Sequence, residues 1–190
     1  MKIVLASSNK HKVQEINDIV RGAGIEFILP PDGFDPVEDG KTFAENSVIK
    51  AIEAWKLSRT WVLADDSGLC IDALNGAPGI YSARYAETPE KRIERVLKEL
   101  DGIKNRDAHF NCAMTLINPN GGIEYTYEGK CFGSITTEAK GINGFGYDPI
   151  FLVNNDTRTM AELSEDEKNK ISHRSVALNK VLDYIKENII

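Results

Sequence analysis

The sequence predicts a mixed α/β protein, and three observations support this prediction. Short apolar segments typical of buried strands alternate with segments whose apolar residues recur at helical spacing. Two long segments with strand character flank the turn-forming residues 118–122, which predicts a hairpin, and a sheet containing a hairpin cannot be wholly parallel. The chain has 190 residues, of which 42% are hydrophobic and 27% charged, which is typical of one globular domain.

A strand and a helix are predicted first. Residues 3–6 are apolar and predict a buried strand. After a polar loop, one apolar helical face ends at Gly22. The residues of that face are Val13, Ile16, Ile19 and Val20.

A second helix and strand follow an irregular, proline-containing stretch over 30–36. Thr42 and Glu45 have capping-box spacing, which predicts a helix to about Arg59. A strand is predicted over 61–64, and residues 65–68 are expected to break it before extended structure returns over 69–74. The predicted buried stripe of the helix consists of Phe43, Val48, Ile52 and Trp55.

The second half of the chain predicts a helix, a hairpin, a strand and a C-terminal helix. Thr88 and Pro89 are typical of an N-cap and first helical residue. The hairpin strands are predicted over about 108–117 and 123–135, and a last strand over 150–153. Ser164 and Glu167 form a second capping box, and apolar residues at 176, 181, 182 and 185 support the C-terminal helix.

Composition argues against several classes of protein. The net charge is −6, which disfavours a broad nucleic-acid-binding face. No apolar run approaches the roughly 20 residues of a membrane helix, and the N-terminal apolar stretch is too short for a signal peptide, so we expect a cytoplasmic protein without a membrane partner. The three cysteines are widely spaced, which favours small buried residues over disulfides or a zinc site.

Residues 7–12 lie between a predicted strand and a predicted helix. Free backbone N–H groups at such a helix start favour an anion, and the lysines and hydroxyls in this segment would hold phosphate oxygens. The segment lacks the glycines and the Gly-Lys-Ser/Thr ending of a Walker loop. The alternative is an ordinary loop in which Ser8 or Asn9 caps the helix and the lysines lie in solvent.

Acidic residues at two places are candidate metal ligands. Asp65 and Asp66 are adjacent carboxylates at the end of an apolar strand and repel each other unless a cation or a proton separates them. Magnesium suits such oxygen ligands and commonly binds one or two carboxylates together with substrate phosphates. Glu38 and Asp39, beside Gly40, are a similar acidic segment. A structural turn and a solvated loop are the respective alternatives.

Aromatic residues and donors form the remaining candidate segments. Phe145 and Tyr147 are bracketed by glycines, which leaves room for a planar base against a ring, although the rings could equally pack into the core. Lys168, His173 and Arg174 bring hydrogen-bond donors together near a helix start.

These segments together supply cations for phosphates, carboxylates for a metal, aromatics for a base and donors for its edge. They closely resemble the inosine triphosphate pyrophosphatase family, also called non-canonical purine NTP or dITP/XTP pyrophosphatases. The resemblance runs in order from about residue 3 to residue 182. It is carried by Ser8-Asn9-x-x-Lys12, Thr42-Phe43-x-Glu45-Asn46-x-x-x-Lys50-Ala51, Ala64-Asp65-Asp66-Ser67-Gly68-Leu69, Gly76-x-Pro78-Gly79-x-Tyr81-Ser82-Ala83-Arg84, Gly144-Phe145-Gly146-Tyr147-Asp148-Pro149 and Ser172-His173-Arg174.

The resemblance implies a fold and a reaction. The implied fold is a single domain with a long central mixed sheet flanked by helices, in two lobes with an intervening nucleotide-binding cleft. The implied reaction is magnesium-dependent hydrolysis of ITP, dITP and XTP or dXTP to the monophosphate and pyrophosphate, which removes deaminated purines from the nucleotide pool. A cytoplasmic homodimer is also implied.

Roles for individual residues follow from the same resemblance. Glu38 and Asp66 match the metal ligands, and Asp66 matches the proton acceptor, with Asp65 as the alternative base. Lys12 and Lys50 match phosphate-contacting lysines. The positions that match substrate-binding residues are Ser7, Ser8, Asn9, Lys10, His11, Lys12, Ser67, Phe145, Gly146, Tyr147, Asp148, Lys168, His173 and Arg174. Ser8 departs from the family pattern, since many members have glycine there, and the segment between Tyr85 and Asp101 is short.

We expect water to attack the α-phosphorus in line while the lysines neutralise charge on the leaving pyrophosphate. Donors aimed at the 6-oxygen are expected to reject ATP, and no residue is assigned to the exclusion of GTP. Two other functions stay open at this point: a regulator that binds nucleotide without hydrolysis, and a pyrophosphatase acting on modified pyrimidines.

Overall fold

The computed structural model describes the backbone of residues 1–190 and all side chains except those of His11 and Glu15. Over these residues the chain forms one six-stranded sheet and five α-helices. The strands are β1 (Lys2–Leu5), β2 (Glu26–Ile28), β3 (Val62–Ile71), β4 (Asp107–Ile117), β5 (Ile123–Ile135) and β6 (Phe151–Val153). The helices are α1 (Lys10–Ile19), α2 (Phe43–Ser58), α3 (Pro89–Glu99), α4 (Glu165–Ile171) and α5 (His173–Asn188).

The sheet is mixed, as the sequence predicts. Its strand order is β2-β1-β3-β4-β5-β6. β1 runs parallel to both β2 and β3, and β6 runs antiparallel to β5. β4 and β5 are neighbours joined by residues 118–122, where the amide of Asn118 donates to the carbonyl of Gly122 at 2.9 Å. The predicted α/β class and the predicted hairpin are therefore confirmed.

β3 corrects one prediction, because it runs without a break through Asp65 to Gly68. The residue types favoured a turn, but β3 lies between β1 and β4 in the sheet. β1 pairs with β3 only at Val62 and Leu63, so beyond them the neighbouring strand is β4. Pairing within the sheet provides partners for backbone amides and carbonyls, which outweighs the local preference for a turn. β2 was not predicted, because three residues are too few to show a periodic pattern.

The buried face of α2 also differs from the predicted stripe. Of that stripe only Phe43 is buried, while Val48 and Trp55 are half-buried and Ile52 is 36% exposed. Small residues instead face inward, which lets the helix backbone approach its neighbours closely. Two of them are polar, and the Ser47 hydroxyl lies 2.7 Å from that of Thr115. The buried residues of α2 are Phe43, Asn46, Ser47, Ala51 and Ala54.

The chain divides into two compact units. The first unit contains residues 1–66, 113–128 and 177–190, and the second contains 67–112 and 129–176. The chain crosses between them inside β3, β4, β5 and α5, so every crossing falls within a regular element. Core residues of the first unit include Val4, Ala51, Ala54, Val62 and Ile117. Those of the second include Leu69, Val96, Phe110, Phe151 and Met160.

Two further observations concern the sequence predictions. Cys112 and Cys131 are buried, as predicted, whereas Cys70 is half-buried. Among the helices over residues 1–190, none combines the length and the apolar character that crossing a membrane requires.

Candidate active site

Parallel pairing of β1 with β3 places Lys12 beside Asp65. Leu5, the last residue of β1, pairs with Leu63, so Asp65 lies two residues further along β3, level with the start of the loop that follows β1. α1 begins five residues after Leu5, and its Lys12 Nζ lies 2.5 Å from Asp65 Oδ1. The Asp65 side chain is 0% exposed, so its charge is stabilised by this ammonium rather than by water.

The loop before α1 is organised by its own side chains. Asn9 Oδ1 accepts a hydrogen bond from the amide of Lys12 at 3.4 Å, which caps the helix. Ser7 Oγ accepts from the amide of Asn9 at 3.2 Å. Ser8 and Lys10 are exposed, and the side chain of His11 lies outside the described residues. Within this predicted phosphate loop, the Lys12 side chain contacts Asp65 of β3.

Asp66 has different partners because neighbouring side chains in a strand point to opposite faces. Lys50 Nζ donates to Asp66 Oδ1 at 2.8 Å, and Asn46 Nδ2 donates to Asp66 Oδ2 at 3.2 Å. Asn46 and Lys50 lie four residues apart in α2 and so share one helix face. Lys50 Nζ also lies 3.1 Å from Glu38 Oε2. One ammonium therefore contacts two carboxylates.

Burial sets the electrostatics of this cluster. It raises the pKa of Asp66, and the opposing effects of Lys50 and Asn46 do not fully cancel that increase. Burial alone would lower the pKa of Lys50, but the charges of Asp66, Asp65 and Glu38 more than offset it, so the pKa is raised. The ammonium therefore stays protonated, while Asp66 is more basic than an exposed aspartate.

Glu38 and Asp66 fit a divalent cation. Each directs an oxygen to within 3.1 Å of the same positive charge on Lys50, and carboxylate oxygens are the ligands magnesium prefers. No three His, Cys, Asp or Glu side chains converge as a metal cage among the described residues. The two acids would therefore hold the ion together with water and substrate phosphates, which is common for magnesium.

In the second unit, Asp148 fixes the turn over residues 144–149. Its Oδ2 accepts from the amide of Phe145 at 2.9 Å and from Lys168 Nζ at 2.6 Å. Gly144 has a φ of +72°, and a Cβ there would lie 2.1 Å from that same oxygen. The carboxylate therefore ties the turn to α4, and only glycine leaves room for it.

Phe145 is presented to solvent beside two cationic groups. Phe145 is 61% exposed, although large apolar residues are usually buried. Lys168 Nζ lies 4.6 Å and Arg174 Cζ 5.7 Å from the centre of the ring. His173 begins α5 and stacks on Phe110 with 4.8 Å between ring centres. An exposed ring with buried donors beside it can bind a planar, polar ligand.

Tyr147 packs into the core of the second unit. Its hydroxyl donates to the carbonyl of Ser82 at 2.8 Å, and Ser82 Oγ accepts from the amide of Leu69 at 2.9 Å. Burial raises the pKa of Tyr147 to about 12. The Tyr147 ring therefore anchors the turn. A Cβ on the neighbouring Gly146 would have no atom within 4 Å. Ser67, another predicted site residue, is half-buried in β3.

Sequence reasoning did not assign a role to Asn46, Gly40, Ser82 or Phe110. Asn46 could have been found, because it lies one helical turn before Lys50. Ser82 and Phe110 contact site residues that are 65 and 63 positions away in the chain, and no local pattern signals such contacts. The amide of Gly40 donates to Asn46 Oδ1 at 2.9 Å.

Comparisons with known proteins identify relatives of this chain. The model of the Ham1 family matches residues 3–184. A dITP/XTP pyrophosphatase from Prochlorococcus marinus is 45% identical over 181 residues, which is 95% of each chain. Another from Treponema denticola is 45% identical and covers 98% of this chain and 99% of its own. The Ham1 protein structure from Staphylococcus aureus has a TM-score of 0.90 at 39% identity, covering 98% of this chain and 99% of its own. That of a HAM1 protein from Coxiella burnetii also has a TM-score of 0.90, at 43% identity and with the same coverage.

Proposed function

The chain belongs to the Ham1 family, and on that premise we propose that it hydrolyses ITP, dITP and XTP or dXTP to the nucleoside monophosphate and pyrophosphate. Relatives named dITP/XTP pyrophosphatase support this reaction. The observation that carries it is the contact of Lys50 Nζ with both Glu38 and Asp66. Such a cluster combines a cation for phosphate with carboxylates for a metal and a base.

Asp66 acts as the proton acceptor. The oxygen of a water molecule forms a bond to the α-phosphorus, the bond from that phosphorus to the bridging oxygen breaks, and pyrophosphate leaves. Asp66 takes the proton of the water. Lys12 and Lys50 neutralise the negative charge on the departing phosphates. Glu38 and Asp66 would hold magnesium, which would supply further positive charge to the phosphates.

The triphosphate and the base are assigned to different residues. The loop over 7–12 and Lys50 contact phosphate oxygens. Phe145 stacks on the purine, which its exposure supports. Lys168, His173 and Arg174 donate toward the 6-oxygen. Adenine has an amino group at that position, and a site that must donate there can reject it by about 10⁴-fold.

The assembly and location are part of the proposal. We infer a cytoplasmic homodimer with no nucleic-acid or membrane partner, on the strength of the family resemblance and the net charge of −6. Sedimentation equilibrium tests the dimer, and a molecular mass of one chain at micromolar concentration would contradict it.

Pyrophosphate release from a panel of nucleotides tests the reaction. We expect magnesium-dependent release from ITP, XTP and dITP, almost none from ATP and GTP, and loss of activity with EDTA. Pyrophosphate must be counted separately from single phosphate. Tight ITP binding without turnover would identify a regulator, and preferential hydrolysis of dUTP would identify a pyrimidine enzyme.

A further inference from the structure

Asn46 contacts one acid of the proposed metal site and the loop that carries the other. Its residue is 1% exposed, so its amide has no access to solvent and needs protein partners. It finds two. Nδ2 donates to Asp66 Oδ2 at 3.2 Å, and Oδ1 accepts from the amide of Gly40 at 2.9 Å. The orientation of the amide follows from these partners, because a backbone N–H only donates and a carboxylate only accepts.

The two oxygens of the Asp66 carboxylate have different hydrogen-bond partners. Asn46 takes Oδ2, while Oδ1 is directed at Lys50 Nζ at 2.8 Å. A carboxylate held by one oxygen cannot rotate freely about its last bond. Asn46 therefore fixes which oxygen of Asp66 faces the cationic position.

The bond to Gly40 acts on the other acid. Glu38 lies two residues before Gly40 in a stretch without helix or strand. A Cβ on Gly40 would lie 2.6 Å from Asn46 Oδ1 and 2.9 Å from the amide nitrogen of Asn46, so the loop backbone lies directly against α2. Lys41 adds a second attachment, since its amide donates to Glu45 Oε2 at 2.6 Å. The loop that carries Glu38 is thus held against the helix that carries Asn46.

We infer that Asn46 is a positioning residue that sets Glu38 and Asp66 at the spacing a divalent cation requires. This inference rests on the proposed function, since it concerns the same site. Hydrogen-bond partners of metal ligands commonly matter about 10- to 100-fold for metal affinity. Asn46 bonds to one acid directly and to the loop that carries the other, so we expect its removal to have an effect in that range.

The chain offers a matched control in Asn17 of α1. Its Nδ2 donates to the carbonyl of Phe27 and its Oδ1 accepts from the amide of Phe27, both at 2.8 Å. Asn17 is thus also a helical asparagine that clamps backbone through two hydrogen bonds, but it contacts no carboxylate through them. Asn46→Ala and Asn17→Ala remove similar structural bonds and differ in what those bonds hold.

The experiment measures the thermal unfolding midpoint of each full-length protein while Mg²⁺ alone is added at constant ionic strength. The midpoint without Mg²⁺ reports structural damage, and its increase with Mg²⁺ reports ion affinity. We expect the Asn46→Ala protein to need an Mg²⁺ concentration about 10- to 100-fold higher than wild type for the same increase in unfolding midpoint. Asn17→Ala should lower the starting midpoint and leave the Mg²⁺ dependence within about twofold.

Any of three outcomes would overturn the inference. The Mg²⁺ dependence of the midpoint could be unchanged in Asn46→Ala, Mg²⁺ affinity could be weakened equally in Asn17→Ala, or the wild-type midpoint could fail to respond to Mg²⁺. Should Asn46→Ala fail to fold, Gly40→Ala replaces it, since its Cβ would displace the same loop. The nucleotide panel stands apart from this test. Wild-type protein that responds to Mg²⁺ but releases no pyrophosphate from ITP would refute the proposed function and leave the role of Asn46 to be decided by ion binding.

Discussion

Asp65 and Asp66 are chemically identical neighbours in β3, but their surroundings differ. Asp65 is buried against Lys12 of α1, whereas Asp66 contacts Lys50 and Asn46 of α2. A buried ion pair mainly holds structure, and removing one partner leaves an unpaired charge. Burial with incomplete compensation instead raises the pKa of Asp66, as a base requires. At the scale of single residues, two adjacent aspartates thus have different partners and different burial.

Substitution of each aspartate tests that separation. Asp66→Asn keeps the shape of the side chain but cannot accept a proton, so we expect kcat for ITP to fall about 10²- to 10⁴-fold or more. Asp65→Asn should lower the unfolding midpoint, because Lys12 loses its partner, and should retain part of the turnover. Steady-state kinetics with saturating Mg²⁺ provide the measurement. Equal losses of kcat in the two variants would contradict the assignment of Asp66 as base.

Phe145→Ala tests the proposed contact with the base. Loss of stacking worth about 1–3 kcal/mol predicts a KM for ITP that rises about 5- to 150-fold, with a smaller change in kcat. Phe132→Ala is the matched control, because Phe132 is also an exposed phenylalanine at 57% and lies in β5 of the same unit. Similar kinetics for the two variants would show that Phe145 does not bind the substrate.

The sequence could indicate the charged residues of the candidate site but not their pairing. Lys12, Glu38 and Asp66 stand out by type and position, and Lys50 was assigned through the family resemblance. Which lysine contacts which acid depends on the fold. The roles of Phe145 and Tyr147 also stayed open, because glycines on both sides allow either ring to turn inward. The structure turns Tyr147 to the core and Phe145 to solvent. Tyr147 packs in the core of its unit and donates to the distant carbonyl of Ser82, and neither contact is visible in the local sequence.

At the scale of elements, local signals predicted helix starts well and burial less well. Thr42, Thr88 and Ser164 each accept the hydrogen bond expected of an N-cap, because capping depends on residues within one turn. The prediction of a break in β3 and that of the buried stripe of α2 were wrong. Both depend on neighbours far along the chain: β4 for the strand, and Thr115 for Ser47 of the helix.

The turn over 144–149 provides a prediction about an element. Gly144→Ala would place a Cβ 2.1 Å from Asp148 Oδ2 at a φ of +72°, which should displace the carboxylate and with it Lys168 and Phe145. We expect KM for ITP to rise and the unfolding midpoint to fall. Gly146→Ala is the control, since its φ of +63° is similarly strained but nothing lies within 4 Å. The steric argument fails if Gly146→Ala raises KM as much as Gly144→Ala does.

At the scale of the whole molecule, the distribution of two residue types makes the units separately observable. Both tryptophans, Trp55 and Trp61, lie in the first unit, and Cys70, Cys112 and Cys131 all lie in the second. Burial raises the pKa of Cys131 to about 11, so its thiol reacts slowly until the fold opens. Tryptophan fluorescence and thiol accessibility therefore report on different units of the unmodified protein.

We expect the two signals to change at the same urea concentration. The chain passes between the units inside β3, β4, β5 and α5, so unfolding of either unit ends the hydrogen bonding of elements that continue into the other. Equilibrium unfolding followed by both probes and by far-UV circular dichroism measures this. Separated midpoints would show that each unit unfolds independently.

The alternation of Asp65 and Asp66 along β3 also bears on how such a chain can evolve. Inserting or deleting one residue in a strand moves every later side chain to the opposite face. In β3 that change would exchange the surroundings of the two aspartates while leaving the composition almost unchanged. The length of β3 is therefore expected to be inherited as strictly as its residues, and loops such as 118–122 are where insertions and deletions can accumulate.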